Sequence, residues 1–472
     1  MKPVLTPEEM SAVDAAAPEP ADVLVGRAGF AVALAARRML AGCYGRRVVV
    51  VAGGGNNGAD GRVAAVHLRR FGARVAVVSP GDALPSSNLV VDAAFGTGLN
   101  RPYHAAKPGS APVLAVDIPS GLSGLTGVGE SMTAANTVTF AAYKPGLLLG
   151  DGPMRSGAVQ LAGIGLDALV AQSANTWLIE DSDLAQVPVR ARNAHKWNSA
   201  VAIIAGSPAM MGAPLMCSQA AMRAGAGYAL VGVPGAPLGM GGAPGEQVWV
   251  ALDGDDWERQ ACDAASRVKS IVVGPGLGDS AVGKRRSAGP MSLVGEFLSA
   301  TAVPAVVDAD ALRALGGLEG ALVVARARKA AMILTPHDGE YARLAGHPPR
   351  ADRVGEARDA ARRSGSVVLL KGSTTVVAAP DGRVAMCNAG TASLATAGSG
   401  DVLSGIIGAF LARGLEAWMA ASLAAQVHGL AARSGPAEGL VASDLPRLVS
   451  AQLSKHLSEH LSRQAPRLPE PR

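Results

Sequence analysis

VVVVAGGGNNGADGR, residues 48–62, runs from a short β-branched stretch into Gly53, Gly55 and Gly58. That is a G-x-G-x-x-G pattern placed where a strand turns into a helix, the usual mark of a dinucleotide-binding α/β unit. Such a unit also needs an acidic side chain at the end of the next strand to hold a ribose. Here the next strand, RVAVVSPGD, ends in Ser79 and Pro80, with Asp82 beyond the turn. The glycines therefore predict the fold, while the missing acid argues against a redox cofactor. Asn56, Asn57 and Asp60 remain to be explained, either as helix caps or as ligands for a polar molecule or cation.

Outward from this loop the pattern repeats. Val48–Ala52, Arg74–Ser79, Leu89–Asp92, Val113–Ile118 and Thr137–Phe140 read as short strands, and Asp60–Phe71 has helical periodicity. A mixed segment around Leu178–His195 interrupts the alternation. A second series then runs through Ala200–Ala205, Ser270–Val273, Ala305–Val307, Met332–Leu334, Val367–Leu370 and Thr375–Ala379 to apolar helices at Val402–Arg413 and Ala417–Ala432. The expectation is an α/β chain of two tandem three-layer αβα domains, 1–186 and 187–455, with a disordered tail at 456–472.

Composition narrows the function classes. Aromatics make up 3% of 472 residues, so the cores are built from small aliphatic side chains. The formal net charge is +5, and the basic clusters Lys284–Arg286 and Arg362–Arg363 lack interleaved aromatics, which argues against nucleic-acid binding. Cys43, Cys217, Cys262 and Cys387 are far apart, with no metal-ligand spacing, and fit a reducing cytoplasm. Gly206, Pro208, Gly212 and Pro214 break up the most apolar stretch, Ala200–Met222, so no membrane span is expected. The apolar C-terminal helices leave room for a subunit interface, and a homo-oligomer is expected.

Two further loops join the first. VVDAAFGTGLNRP, 90–102, carries Asp92 and then Gly96, Thr97 and Gly98; VLAVDIPSGLSG, 113–124, carries Asp117, Pro119 and Ser120. In a parallel sheet all three loops meet beyond the carboxyl ends of the strands. With TFAAYKPGLL, 139–148, these segments resemble the NAD(P)H-hydrate epimerase family over roughly residues 6–165. The resemblance implies that Asn56, Asn57, Gly58, Ala59 and Asp60, together with Gly96, Thr97, Gly98, Leu99, Asn100, Arg101 and Pro102, and also Asp117, contact a hydrated NAD(P)H. It further implies a potassium ion on Asn57, Asp92 and Ser120, and Asp117 is assigned the proton transfer. Ala59 replaces a family glycine, Gly26 stands where a glutamate is usual, and SGLSGLTG replaces an acidic loop after Ser120.

The second half carries NAGTASLATAGSGDVLSGIIGAF, 388–410, in which Gly398, Ser399, Gly400 and Asp401 directly precede an apolar helix. Amides at such a turn suit a phosphate, and a carboxylate beside them suits proton removal from an attacking hydroxyl. VVLLKGSTT, 367–375, delivers Lys371; ILTPHDGEYARL, 333–344, delivers His337 and Glu340; IVVGPGLGD, 271–279, adds another glycine loop. With GSPAMMGA, 206–213, this ordered set resembles the ribokinase-like fold and, within it, the ADP-dependent NAD(P)H-hydrate dehydratase family, over about 193–434.

That resemblance implies that Ala213, Gly276, His337 and Asp401 contact the hydrated dinucleotide, the small-molecule substrate NADHX or NADPHX. It implies that Lys371, Gly372, Ser373, Thr374, Thr375 and Gly400 hold ADP or ATP with Mg2+, and that Asp401 is the base. His428 is read as a packed or capping histidine. The departures HKWNSA, 195–200, and GTASLA, 390–395, are expected on the substrate side. The leading reading is a fused repair enzyme, epimerising hydrated NAD(P)H in one half and dehydrating it in the other. The alternatives are a ribokinase-like small-molecule kinase with an accessory domain, and a nucleotide-binding scaffold with dead sites.

Overall fold

The computed structural model describes residues 1–99, 103–236, 245–252, 256–278 and 291–464. The chain divides into two compact units between Leu178 and Ile179, a little ahead of the boundary expected at 186/187.

In the first unit β2 (Arg47–Ala52), β3 (Arg74–Val78), β4 (Leu89–Ala93), β5 (Val113–Val116), β6 (Asn136–Phe140) and β7 (Ala158–Ala162) form one parallel sheet in the order β3-β2-β4-β5-β6-β7. The short strand β1 (Lys2–Val4) pairs antiparallel with β8 (Thr176–Leu178). Alternate strand residues face opposite sides. Val48, Val50, Val91 and Leu114 pack with Val32, Ala36, Ala64 and Leu68 of the helices Ala21–Met39 and Asn56–Arg70, whereas Val51, Val90 and Ala115 pack under the loop residues Leu84, Phe95, Tyr103 and Met132. Because the chain leaves β2 toward β3 and returns to the other side as β4, the loops after β2 and β4 flank a topological switch point.

The two loops touch there. A methyl group on Gly53 would stand 1.9 Å from the carbonyl oxygen of Ala94, and one on Gly58 would stand 1.9 Å from that of Gly53. Gly53→Ala is therefore expected to destabilise the unit by about 1–3 kcal/mol through forced backbone displacement. Chemical denaturation of the variant beside Gly54→Ala, where a Cβ meets nothing within 4 Å, checks this.

In the second unit the strands are β9 (Ala200–Ile204), β10 (Tyr228–Pro234), β11 (Val248–Leu252), β12 (Ser270–Val273), β13 (Ala305–Val307), β14 (Met332–Leu334), β15 (Val367–Leu370), β16 (Thr375–Ala378) and β17 (Val384–Cys387). They lie in the order β17-β16-β15-β14-β13-β12-β9-β10-β11, parallel from β11 to β15 and antiparallel beyond. The switch point falls between β9 and β12, next to the loops Gly206–Gly212 and Gly274–Gly278. Helix Ser399–Ala412 packs against Gly212–Arg223, and a Cβ on Gly405 would meet the Cys217 carbonyl at 2.1 Å. Both units are thus mixed α/β structures built on parallel sheets, as the alternating pattern predicts.

The last helix, Leu445–Gln464, continues through the start of the segment expected as a disordered tail, so 456–464 is helical; 465–472 lies outside the described residues. No helix among the described residues is long and apolar enough to cross a membrane.

Candidate active sites

The first site opens at the switch point of the first sheet, in a cavity of about 650 Å³. Asn56, Asn57 and Asp60 reach it from the helix after β2; Gly96, Thr97, Gly98 and Leu99 from the loop after β4; and Asp117 from the end of β5. The capping explanation for the asparagines does not hold. The N-cap of helix Asn56–Arg70 is Gly55, with no side-chain cap. Asn57 is instead buried, with both amide atoms lacking a hydrogen-bond partner. Gly58 faces the Gly53 carbonyl rather than the cavity, and Asn100, Arg101 and Pro102 lie outside the described residues.

Asp117 has a φ of 64°, in the left-handed region, which Asp tolerates better than most side chains. One carboxylate oxygen accepts hydrogen bonds from Lys144 Nζ at 2.5 Å, Thr139 Oγ1 at 3.1 Å and the Phe140 amide at 3.4 Å. Lys144 is 1% exposed, and its ammonium also donates to Thr139 Oγ1 at 3.0 Å and the Phe140 carbonyl at 3.1 Å. Lys144 falls within the segment TFAAYKPGLL, and nothing in that segment marks it for a role at the site. A lysine followed by Pro145-Gly146 is unremarkable until its burial is seen.

Asp14, from helix Pro7–Ala15, lines the same cavity. Its signal in the sequence was the Thr6–Glu9 capping box that starts this helix. Burial, then the negative charges of Asp117 and Asp14, push the Asp60 carboxyl up to about 8 against the pull of Lys144. Burial likewise raises Asp14.

Asp92 and Ser120 are fully enclosed and latch the β4 and β5 loops together. Ser120 donates to Asp92 through its amide at 2.9 Å and its hydroxyl at 2.6 Å, while the Phe95 amide donates to Ser120 Oγ at 2.9 Å. Burial raises the Asp92 carboxyl even though these bonds favour its charge. At the end of β3, Asp82 accepts a bond from the Ser79 amide at 2.8 Å and so closes its own turn.

The second site lies at the carboxyl ends of β9 and β12–β15. Ala213 and Gly276 are neighbours: a Cβ on Gly276 would stand 2.9 Å from that of Ala213. Gly398, with a φ of 90°, caps the helix whose first turn holds Asp401. Lys371 follows β15, and its ammonium lies 2.7 Å from Asp308, beyond β13, and 3.4 Å from where a Gly400 side chain would begin. Asp308 is buried, and its other oxygen accepts from Ser404 Oγ at 2.7 Å. Neither Asp308 nor Ser404 was expected at the site from the sequence. Burial, with the negative charges of Asp308 and Glu340, raises Asp401 to about 6, and Lys371 opposes this.

His337 caps helix Asp338–Ala345: its Nδ1 accepts from the Gly339 amide at 3.0 Å, and Glu340 accepts from the His337 amide at 2.9 Å. Its ring is exposed on the same loop. Gly372–Thr374 form the turn into β16, which begins at Thr375, and Arg353 braces the turn by donating to the Lys371 carbonyl at 2.7 Å. His428 is packed as expected. It is buried, with Nε2 unpartnered, and burial pushes it down to about 4.

The departures separate. GTASLA leads into Gly398, and Ser399 Oγ donates to its Leu394 carbonyl at 2.8 Å. HKWNSA instead precedes β9 at the amino end of the sheet, opposite the site, where the Trp197 ring lies tilted against Tyr228 at 4.5 Å under Arg267. Its expected place on the substrate side is therefore corrected.

Comparison with known proteins agrees with both halves. Residues 201–455 match the family described as NAD(P)H-hydrate dehydratase, and residues 21–87 and 80–146 match the YjeF-related protein N-terminus. The chain is similar to the bifunctional NAD(P)H-hydrate repair enzyme of Salinibacter ruber, at 34% identity over 97% of each chain. It is similar to that of Mycobacterium leprae at 38% identity, over 91% of this chain and 94% of the other. A crystal structure of ADP/ATP-dependent NAD(P)H-hydrate dehydratase from Bacillus subtilis, with ATP and Mg2+, is similar at 26% identity and a TM-score of 0.47, over 58% of this chain and 96% of that one. With both catalytic halves matched and the relatives covered nearly end to end, this chain belongs to the bifunctional NAD(P)H-hydrate repair enzymes, which join an epimerase to a dehydratase.

Proposed function

We propose that the first cavity interconverts the R and S hydrates of NADH and NADPH by ring opening, with Asp117 and Asp60 as the proton-handling pair. Asp117 takes the proton of the ring hydroxyl as that oxygen becomes a carbonyl and the carbon–nitrogen bond breaks. Asp60 gives its proton to the ring nitrogen. After rotation, the nitrogen attacks the other face of the carbonyl and each proton returns, so no net proton is consumed. Support comes from the contrast between the two carboxylates on one cavity: Asp117 is paired with an ammonium, and Asp60 is held as an acid. A potassium ion would be held by the Asn57 amide, whose two polar atoms lack a partner and which lies against Gly96 in the loop that Asp92 and Ser120 latch; the ion would supply positive charge for the dinucleotide's phosphates.

In the second site, the hydroxyl of the S hydrate attacks the terminal phosphoryl of ADP or ATP, giving its proton to Asp401. The bond to the departing nucleotide phosphate breaks as the new one forms. The ring nitrogen's lone pair then expels phosphate, and loss of the adjacent ring proton restores NAD(P)H. Gly398–Gly400 amides and Lys371 face the transferring group, and Mg2+ carried on the nucleotide would screen its charge. The observation that carries this reading is the raised Asp401 carboxyl in the first turn of a helix whose Gly400 lies against the half-buried Lys371 ammonium. A stable phosphorylated product, in place of regenerated NADH absorbance with phosphate release, would establish the kinase alternative instead.

Asp60 must be protonated, so R-hydrate consumption measured without ADP is expected to fall as pH rises through about 8. Asp60→Asn is expected to slow the reaction about 10²-fold and to flatten that limb. A limb that persists in Asp60→Asn would move the acid to another group.

A further inference from the structure

We propose that Asp308 is a positioning residue for phosphoryl transfer in the dehydratase half, fixing the Lys371 ammonium and the helix bearing Asp401 to one carboxylate. The inference rests on the reading of Asp401 as the base. Asp308 stands at the end of β13, between the strands that deliver Gly276 and His337, and no substrate or nucleotide role falls to it. It is 2% exposed. Its Oδ1 accepts from Lys371 Nζ at 2.7 Å and its Oδ2 from Ser404 Oγ at 2.7 Å, across sequence separations of 63 and 96 residues. Ser404 sits one turn after Asp401 on the same helix, so a single side chain ties the cation to the helix that carries the base.

The place of Asp308 is itself enforced. A Cβ on Gly274 would lie 1.8 Å from the Asp308 carbonyl, and Ala309, the next residue, has a φ of 49°. A non-glycine residue held in that region is strain retained at a working site. The carboxylate therefore cannot drift with the loop.

Its charge matters as well as its bonds. Burial would disfavour charge on Asp308, but Lys371, Ser404 and Thr335 more than offset this and hold the carboxyl below its usual value. Burial also works against the Lys371 ammonium, and Asp308, Glu340 and Asp401 raise it nonetheless. The groups felt by Asp401 are Asp308 and Glu340, which disfavour its charge, and Lys371, which favours it; the Cys217 thiol, pushed up by burial and by both aspartates, stays neutral. Asp308 thus keeps Asp401 a stronger base while stopping Lys371 from collapsing onto it.

The test is the pH profile of kcat for the full-length enzyme with S hydrate and Mg-ADP, beside the KM for ADP. In Asp308→Asn the amide still accepts from Ser404, but the charge is gone. The acid limb is expected to move down by at least about half a unit, with kcat falling about tenfold and the KM for ADP no higher than in wild type, because the released ammonium still attracts the nucleotide. Lys371→Met leaves Asp308 unopposed and should move the limb up, which keeps the idea testable if the first variant does not fold. A limb that stays put in both variants, or a raised KM with an unmoved limb, overturns the proposal. A wild-type profile with no acid limb removes the base assignment to Asp401 and with it the proton half of the proposal, leaving the kcat and KM split to decide the Lys371 half.

Discussion

Asp401→Asn is expected to lower ADP-dependent recovery of NADH absorbance from the S hydrate by roughly 10²–10⁴-fold. The asparagine has the same shape and remains at the first turn of helix Ser399–Ala412, so the turn at Gly398 and the Lys371–Asp308 pair are preserved. What is lost is the proton acceptor. In the wild type that acceptor is a carboxyl raised to about 6, so activity should be full above that value and lost as pH falls through it. Interconversion of R and S hydrates without ADP should continue in the variant, and this separates a lost base from a lost fold. Recovery near the wild-type rate would mean that another group takes the hydroxyl proton.

The second large effect is expected at Lys144. Its side chain is 2% exposed and that of its partner Asp117 is 16% exposed, so Lys144→Met leaves a carboxylate largely out of water without its counter-charge. Breaking a buried pair from one side costs about 3–5 kcal/mol, and a loss toward the lower end is expected because Asp117 keeps some solvent. Lys144→Met/Asp117→Asn removes both charges and should regain most of that stability in thermal unfolding. Asn also keeps the left-handed backbone that Asp117 occupies, as Ala would not. The double variant should lose epimerisation by about 10²-fold or more because it lacks the charged base, whereas the single variant keeps that carboxylate but not the cation that holds it in place. A double variant that stays as unstable as the single one would show that Lys144 contributes mainly through its own hydrogen bonds.

The strands and glycine loops were legible because their signals are local. β-Branched runs bounded by Gly or Pro mark each strand, and a parallel sheet gathers the loops after them at one end without further information. That was enough to bring Asn57, Asp60, Gly96 and Asp117 to one cavity on paper. The pairings inside the sites were not legible. Lys144 meets Asp117 across 27 residues and Lys371 meets Asp308 across 63, and nothing in either neighbourhood marks the partner.

Asp308 lies in VVDAD, where an acid after a strand reads as an ordinary helix cap. The antiparallel end of the second sheet was masked for a different reason. The strand after the APDG turn at 379–382, β17, is four residues long and was not read as a strand, although the short link between β15 and β16 is too brief for a parallel crossover. HKWNSA misled because a motif's sequence position says nothing about which end of the sheet it occupies.

The clamp around Lys144 has a consequence for the ring-opened intermediate proposed for the first site. Opening the hydrate produces an aldehyde, and a free amine within reach of an aldehyde condenses with it to an imine. Asp117, Thr139 and the Phe140 carbonyl take up the three N–H bonds of this ammonium, leaving no lone pair to attack. The lysine can sit beside a reactive carbonyl and lend its charge, and the inverted hydrate leaves instead of becoming covalently attached to it.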